Sequence, residues 1–204
     1  MDNGSSLGWP VTTKEGVTDV RKLTVFNSVT ADGYFTSKDG DMSWAHKSDP
    51  EFNSFSEENA KSGGELIFGR VTYEMMSSYW PTPEARRNSP VIAEQMNSLP
   101  KIVFSRTLDD ASWNNTRLIK ANLVEEVRKL KNQAGDQLVI MGSGTIVSQL
   151  TDARLVDEYQ MVVNPLILGE GRTMFDDVKQ RFELKLANTR AFKNGNVLLH
   201  YLAN

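Results

Sequence analysis

Gln137-Leu138-Val139-Ile140-Met141-Gly142-Ser143-Gly144-Thr145-Ile146 decides how the rest of the chain is read. A short, β-branched apolar run meets a Gly-x-Gly turn, and the residues beyond it continue as a helix through Leu150. The same order recurs upstream. Glu65-Leu66-Ile67-Phe68 is a strand that passes through Gly69-Arg70 into a helix running by Thr72 to Ser78. Lys101-Ile102-Val103-Phe104 is a strand that ends on Ser105-Arg106. Strands joined through helices pair in parallel, and a parallel sheet is covered on both faces.

The flanking segments extend this pattern. Lys22 to Ser28 is a strand, followed by loops at Asp32-Gly33 and Lys38-Asp39-Gly40-Asp41. Asp49-Pro50 opens a helix that stops before Gly63-Gly64, since Asp is a leading N-cap and Pro suits the first helical position. Trp80-Pro81-Thr82-Pro83 breaks the pattern, and Ser89-Pro90 starts a helix over Val91 to Asn97. Thr116 to Ile119 is a strand. Asn122 caps a helix ending at Gly135, with Glu125 as its capping-box partner. Glu158 to Val163 is a strand closed by Asn164-Pro165. Two strands, Glu183 to Phe192 and Asn196 to Leu202, flank Asn194-Gly195, which reads as a type I′ hairpin turn. The expected fold is α/β: a mainly parallel central sheet with helices on both faces and a C-terminal antiparallel hairpin. Residues 1–20, rich in Gly, Ser, Thr and Asp, read as a disordered leader or, in part, an expression remnant.

Open α/β sheets bind ligands beyond the carboxyl ends of their strands, so the three strand tips carry the functional reading. Gly69 lets a ligand approach the backbone, while Arg70 and Thr72 add donors beside a helix N-terminus. Ser105 and Arg106 suit a phosphate monoester such as the 2′-phosphate of NADP. Gly142, Ser143, Gly144 and Thr145 form a phosphate-binding turn, though Val147 stands where a Rossmann fingerprint has its third glycine. Taken singly, the first tip is also a plain strand-to-helix turn with a solvated arginine, the second a surface arginine after a strand, and the third a tight turn that needs small residues. Together they offer phosphate donors rather than acids or metal ligands.

Composition narrows the classes. With no cysteine and two histidines, His46 and His200, the chain has no thiolate or multi-histidine metal site, and no metal is expected. A net charge of -3 argues against a nucleic-acid partner. No run approaches the roughly 20 apolar residues of a membrane span, and a cytoplasmic protein is expected.

Gly69-Arg70-x-Thr72-Tyr73-Glu74 resembles the Gly-Arg-x-Thr-aromatic-Glu motif of dihydrofolate reductases, Ser105-Arg106 their adenosine-end site, and Gly142-Ser143-Gly144 their late glycine motif. Ser28-Val29-Thr30-Ala31-Asp32-Gly33, Leu155-Val156-Asp157-Glu158 and Pro165-Leu166-Ile167-Leu168-Gly169-Glu170-Gly171 are similar to segments of the riboflavin-biosynthesis reductase domain (the RibD C-terminal branch of that superfamily). Met141 departs from that branch, which often has an acid there. The likeness runs from about Arg21 to residue 204 and implies a three-layer dihydrofolate-reductase-like reductase domain.

The resemblance implies NADPH as cofactor, held by Gly69, Arg70, Thr72, Ser105, Arg106 and Gly142 to Thr145. Asn27, Ser28 and Asp32 are expected on the substrate side, and Asp49, Glu51 or a water as the proton source, although Asp49 reads first as an N-cap. The nearest named activity is 5-amino-6-(5-phosphoribosylamino)uracil reductase, passing hydride to a C=N or C=O carbon of a small heterocyclic or ribosylated pyrimidine-type substrate. A homodimer is expected. The alternatives are a dihydrofolate-reductase-type activity and a non-catalytic, nucleotide-binding dimeric scaffold.

Overall fold

The computed structural model describes residues 20–45 and 49–204. The expected leader falls outside them except for Val20, and His46 falls outside them too. Eight strands form one sheet: β1 (Leu23–Thr30), β2 (Glu65–Gly69), β3 (Lys101–Phe104), β4 (Thr116–Ile119), β5 (Leu138–Met141), β6 (Glu158–Asn164), β7 (Leu184–Ala191) and β8 (Val197–Ala203). Their order is β4-β3-β2-β5-β1-β6-β8-β7. The strands β1 to β6 run parallel, and β8 is antiparallel to both β6 and β7. The α/β class, the parallel sheet and the terminal antiparallel hairpin are therefore as expected.

The helices are α1 (Pro50–Lys61), α2 (Arg70–Tyr79), α3 (Pro83–Asn88), α4 (Pro90–Ser98), α5 (Leu123–Lys131) and α6 (Gly144–Asp152). Side chains alternate across each strand and divide the core. Ile67, Ile102, Leu138 and Ile140 pack with Val127 and Leu130 of α5 and with Ile146, Val147 and Leu150 of α6. Leu66, Phe68, Val103 and Val139 pack on the other face with Tyr73 of α2 and Met96 of α4. Phe52 and Phe55 bring α1 onto Val162, Phe192 and Leu198.

The order in which successive strands are added reverses at the centre of this sheet. From β2 the chain steps outward to β3 and β4, whereas from β5 it steps the other way to β6. The helices α2 and α6 thus leave adjacent strands toward opposite faces, and a crevice opens between their N-termini.

Two local expectations need correction. The segment after Trp80 does not simply break the pattern: Thr82 accepts a hydrogen bond from the Ala85 amide, and Pro83 begins α3. The terminal hairpin is not a type I′ turn, because Gly195 has φ +89° while Asn194 is not among the residues with positive φ. The Gly195 amide donates to Phe192 O and the Phe192 amide to Asn196 O, the pattern of a three-residue loop whose left-handed glycine forms a bulge.

Candidate functional site

A groove of about 680 Å³ lies across the carboxyl tips of β2, β3, β4 and β5. Its walls include Gly69, Arg70 and Thr72, Ser105 and Arg106, and Ser143, Gly144 and Thr145. The three sequence motifs thus share one site. Phe35, Thr36 and Met42 from the β1–α1 loop and Arg172 and Thr173 from the β6–β7 loop close one end.

Its centre is a hydrogen-bonded junction between two helix starts. Ser143 Oγ accepts from the Gly69 amide at 2.8 Å and donates to Thr72 Oγ1 at 2.9 Å. The Ser143 amide also donates to Thr72 Oγ1, at 3.1 Å. Gly142 and Ser143 both have left-handed backbones, with φ +63° and +60°. For serine this costs about 1–2 kcal/mol, and the three bonds to its side chain and amide offset it. A Cβ on Gly142 would lie 2.8 Å from Thr72 Cγ2, so glycine is required for space as well as for φ.

Neither α2 nor α6 has a side-chain cap at its N-terminus. The first amides of a helix lack carbonyl partners within it, so both helices point unanswered N–H groups and positive dipole ends at the groove. A left-handed residue followed by a helical one, as at Ser143-Gly144, also forms an anion-binding backbone concavity. Arg70 is paired to Glu74 at 2.8 Å on its own helix. Arg106 and Arg172 have exposed side chains and no carboxylate partner among the described residues. Ser105 Oγ accepts from the Thr107 and Leu108 amides, which shapes the turn that carries Arg106.

Other expected residues have different surroundings. Asn27 is buried beneath the turn and meets both the main-chain amide and the main-chain carbonyl of Gly142. The Asp32 carboxylate accepts from the Thr30 hydroxyl and from the Leu168 and Gly169 amides, which clasps two loops. The Thr30 hydrogen bond and then the Gly169 amide hold its pKa below the usual carboxylate value. Ser28 is half-buried in β1. Asp49 Oδ1 accepts from the Glu51 and Phe52 amides, so it caps α1. Glu51 pairs with Arg190 at 3.1 Å. None of these five lines the groove. Arg172 was not singled out in the sequence; its signal was an arginine directly after the Gly169-Glu170-Gly171 turn.

A second cavity, of about 620 Å³, lies at the opposite ends of β2 and β3. Its principal charges are already engaged: Lys101 caps the carbonyls of Met96, Asn97 and Leu99, and Glu65 faces Arg21 and Arg117. No cluster of His, Asp and Glu suited to a metal ion occurs among the described residues. No helix among them is long and apolar enough to cross a membrane.

Comparison with known proteins agrees with this architecture. The uncharacterized protein YyaP of Bacillus subtilis (strain 168) is 32% identical over 183 residues, covering 89% of this chain and 94% of that protein. A Shewanella sp. PV-4 protein, whose name links it to riboflavin biosynthesis, superposes with a TM-score of 0.69 at 20% identity over 90% of this chain and 99% of its own. A Thermotoga maritima diaminohydroxyphosphoribosylaminopyrimidine deaminase/5-amino-6-(5-phosphoribosylamino)uracil reductase superposes with a TM-score of 0.63 at 16% identity, over 90% of this chain and 57% of that one. These two likenesses are to the fold. The RibD C-terminal domain pattern matches residues 21–198, and the chain belongs to that family.

Proposed function

We propose that the groove binds NADPH and that the protein is a cytoplasmic, homodimeric reductase of a small heterocyclic or ribosylated pyrimidine-type substrate. One observation carries this reading: two uncapped helix N-termini, locked side by side by Ser143, face a single groove that also holds Arg70, Arg106 and Arg172. The donor set fits a dinucleotide. The amides at the starts of α2 and α6 would face the pyrophosphate, with the remaining O–H hydrogen of Thr72 beside them. Arg106, at the β3 tip, would take the 2′-phosphate. Phe35, Thr36 and Thr173 would border the nicotinamide end, where the bound cofactor supplies hydride to an electron-poor C=N or C=O carbon. The chain contributes position, charge and exclusion of water.

The family and the fold of the Thermotoga maritima reductase support the pyrimidine class of substrate. A folate-type activity would need the Asp49 carboxyl turned toward substrate, whereas its Oδ1 is held by two α1 amides.

Calorimetric titration tests the cofactor. The parent protein should bind NADPH more tightly than NADH. Arg106→Ala should remove about 1.5–3 kcal/mol of that difference, the size of a hydrogen bond to a charged group. An unchanged NADPH/NADH ratio in the variant removes Arg106 from the 2′-phosphate site. NADPH oxidation with the ribosylaminopyrimidine intermediate, set against dihydrofolate, then divides the two enzyme readings. Binding with no turnover of either would favour the scaffold.

A further inference from the structure

We propose that Asn27 is the positioning residue of the Gly142-Ser143 turn, and that it sets the groove's affinity for the pyrophosphate common to NADP and NAD without touching either. The proposal rests on the dinucleotide reading above, and it replaces a substrate-side role for Asn27.

On β1, Leu23, Val25 and Val29 face the buried core beneath α6. Asn27 shares their face, because side chains two residues apart point the same way. It is 4% exposed, a polar side chain in an apolar row. β1 lies between β5 and β6: Asn27 is opposite Met161 of β6, and on the β5 side Phe26 pairs with Met141, the last residue of that strand. Gly142 is the next residue and has left the ladder. Asn27 Oδ1 accepts from the Gly142 amide at 2.5 Å, and Nδ2 donates to Gly142 O at 3.2 Å. Nδ2 also lies 2.9 Å from Met174 Sδ, beneath the rim of the groove. One carboxamide therefore meets both main-chain polar groups of a residue that lies beyond the strand pairing.

Thr72 holds the other side of the turn. Its methyl occupies the space a Gly142 Cβ would need, and its hydroxyl takes both Ser143 donors. The two left-handed residues are thus fixed from β1 and from α2. Their backbone angles set the direction of the Gly144 and Thr145 amides, which a phosphate oxygen must meet within hydrogen-bond range. Loss of Asn27 leaves the N–H and C=O of half-buried Gly142 without their side-chain partner and frees the turn to rotate.

NADP⁺ and NAD⁺ share the pyrophosphate, so Asn27 acts on both alike, unlike Arg106. The test compares Asn27→Leu, of similar volume and with no polar group, with Asn27→Asp. Asn27→Leu should raise the Kd for NADP⁺ and for NAD⁺ by the same factor, about tenfold, the equivalent of one lost hydrogen bond. Amide hydrogen exchange at Gly142, Ser143 and Gly144 should quicken in the unliganded protein. Asn27→Asp gives a readout that a merely structural role would not: protonated, it restores the acceptor and donor pair, so NADP⁺ affinity should recover as pH falls, whereas Asn27→Leu should show no recovery. A Gly142 amide that stays protected in Asn27→Leu overturns the proposal, as does an affinity loss confined to one dinucleotide. Should the parent bind neither dinucleotide, the cofactor reading fails, and exchange at Gly142 still decides whether Asn27 sets the turn. If Asn27→Leu does not fold, the pH profile and exchange of Asn27→Asp decide alone.

Discussion

Glu158 stands at the foot of β6 with one carboxylate oxygen 2.6 Å from Lys22 Nζ and the other 3.0 Å from His200 Nε2. The side chain is buried, yet the His200 hydrogen bond, helped by Lys22, holds its pKa at about 2 against the cost of burial. A carboxyl whose folded value lies below its unfolded one stabilises the fold above the unfolded value and loses that contribution as pH falls toward the folded one. The window here is about pH 4.5 down to 2. The shift corresponds to roughly 3 kcal/mol at neutral pH. Glu158→Gln should therefore lower unfolding free energy at pH 7 by an amount of that order, measured by urea titration. Parent and variant should converge near pH 2, and a gap that is constant over the whole range would refute the linkage. His200 is hydrogen-bonded into this cluster from the last strand.

Elements were legible where a period or a punctuating residue marked them, and obscure where side chains change direction at their ends. Apolar runs broken by Gly69, Ser105 and Gly142 located β2, β3 and β5 together with the groove at their tips. The short α3 hid behind two prolines, though Thr82-Pro83 is itself a cap followed by a first-turn proline. Alternation in β1 places Asn27 on the buried face, and that parity was the available sign that it needed an internal partner. No period predicts the pairing of Glu51 with Arg190, or that Thr72 would face Ser143 across 71 residues of chain. The loop clasp was equally invisible. Asp32 grips Leu168 and Gly169, Thr36 bridges Arg172, and the Gly171 backbone leaves room for Thr36 O, where a Cβ would lie 2.4 Å away. Asp32→Ala should open this pair of loops without unfolding the sheet. Limited proteolysis between Leu166 and Glu170 should accelerate while the urea midpoint stays close to that of the parent. Cleavage at the parental rate would show that the bridge at Thr36 suffices.

At the scale of the whole molecule, a groove spanning four strand tips has two chemically different halves. The β3 and β4 end carries Arg106 and the Asn122 turn, whereas the β5 end carries Gly144 with Phe35, Thr36 and Arg172 above it. Between them lie the paired helix starts. A ligand that binds only the folded state stabilises it by RT ln(1 + [L]/Kd), about 2.7 kcal/mol at a hundredfold excess over Kd. Fragments of the dinucleotide should then rank by how much of the cradle they engage. NADP⁺ should raise the melting temperature most, 2′,5′-ADP next through Arg106 and the nearer phosphate donors, and nicotinamide mononucleotide least, because it meets a wall built mainly from Phe35, Thr36 and Thr173. Joining the fragments makes the second contact intramolecular, so NADP⁺ should exceed the sum of its parts. Added salt should weaken 2′,5′-ADP more than nicotinamide mononucleotide, since the former engages more exposed charge. A nicotinamide mononucleotide shift equal to that of NADP⁺ would locate the affinity at the β5 end and remove the β3 tip from the binding site.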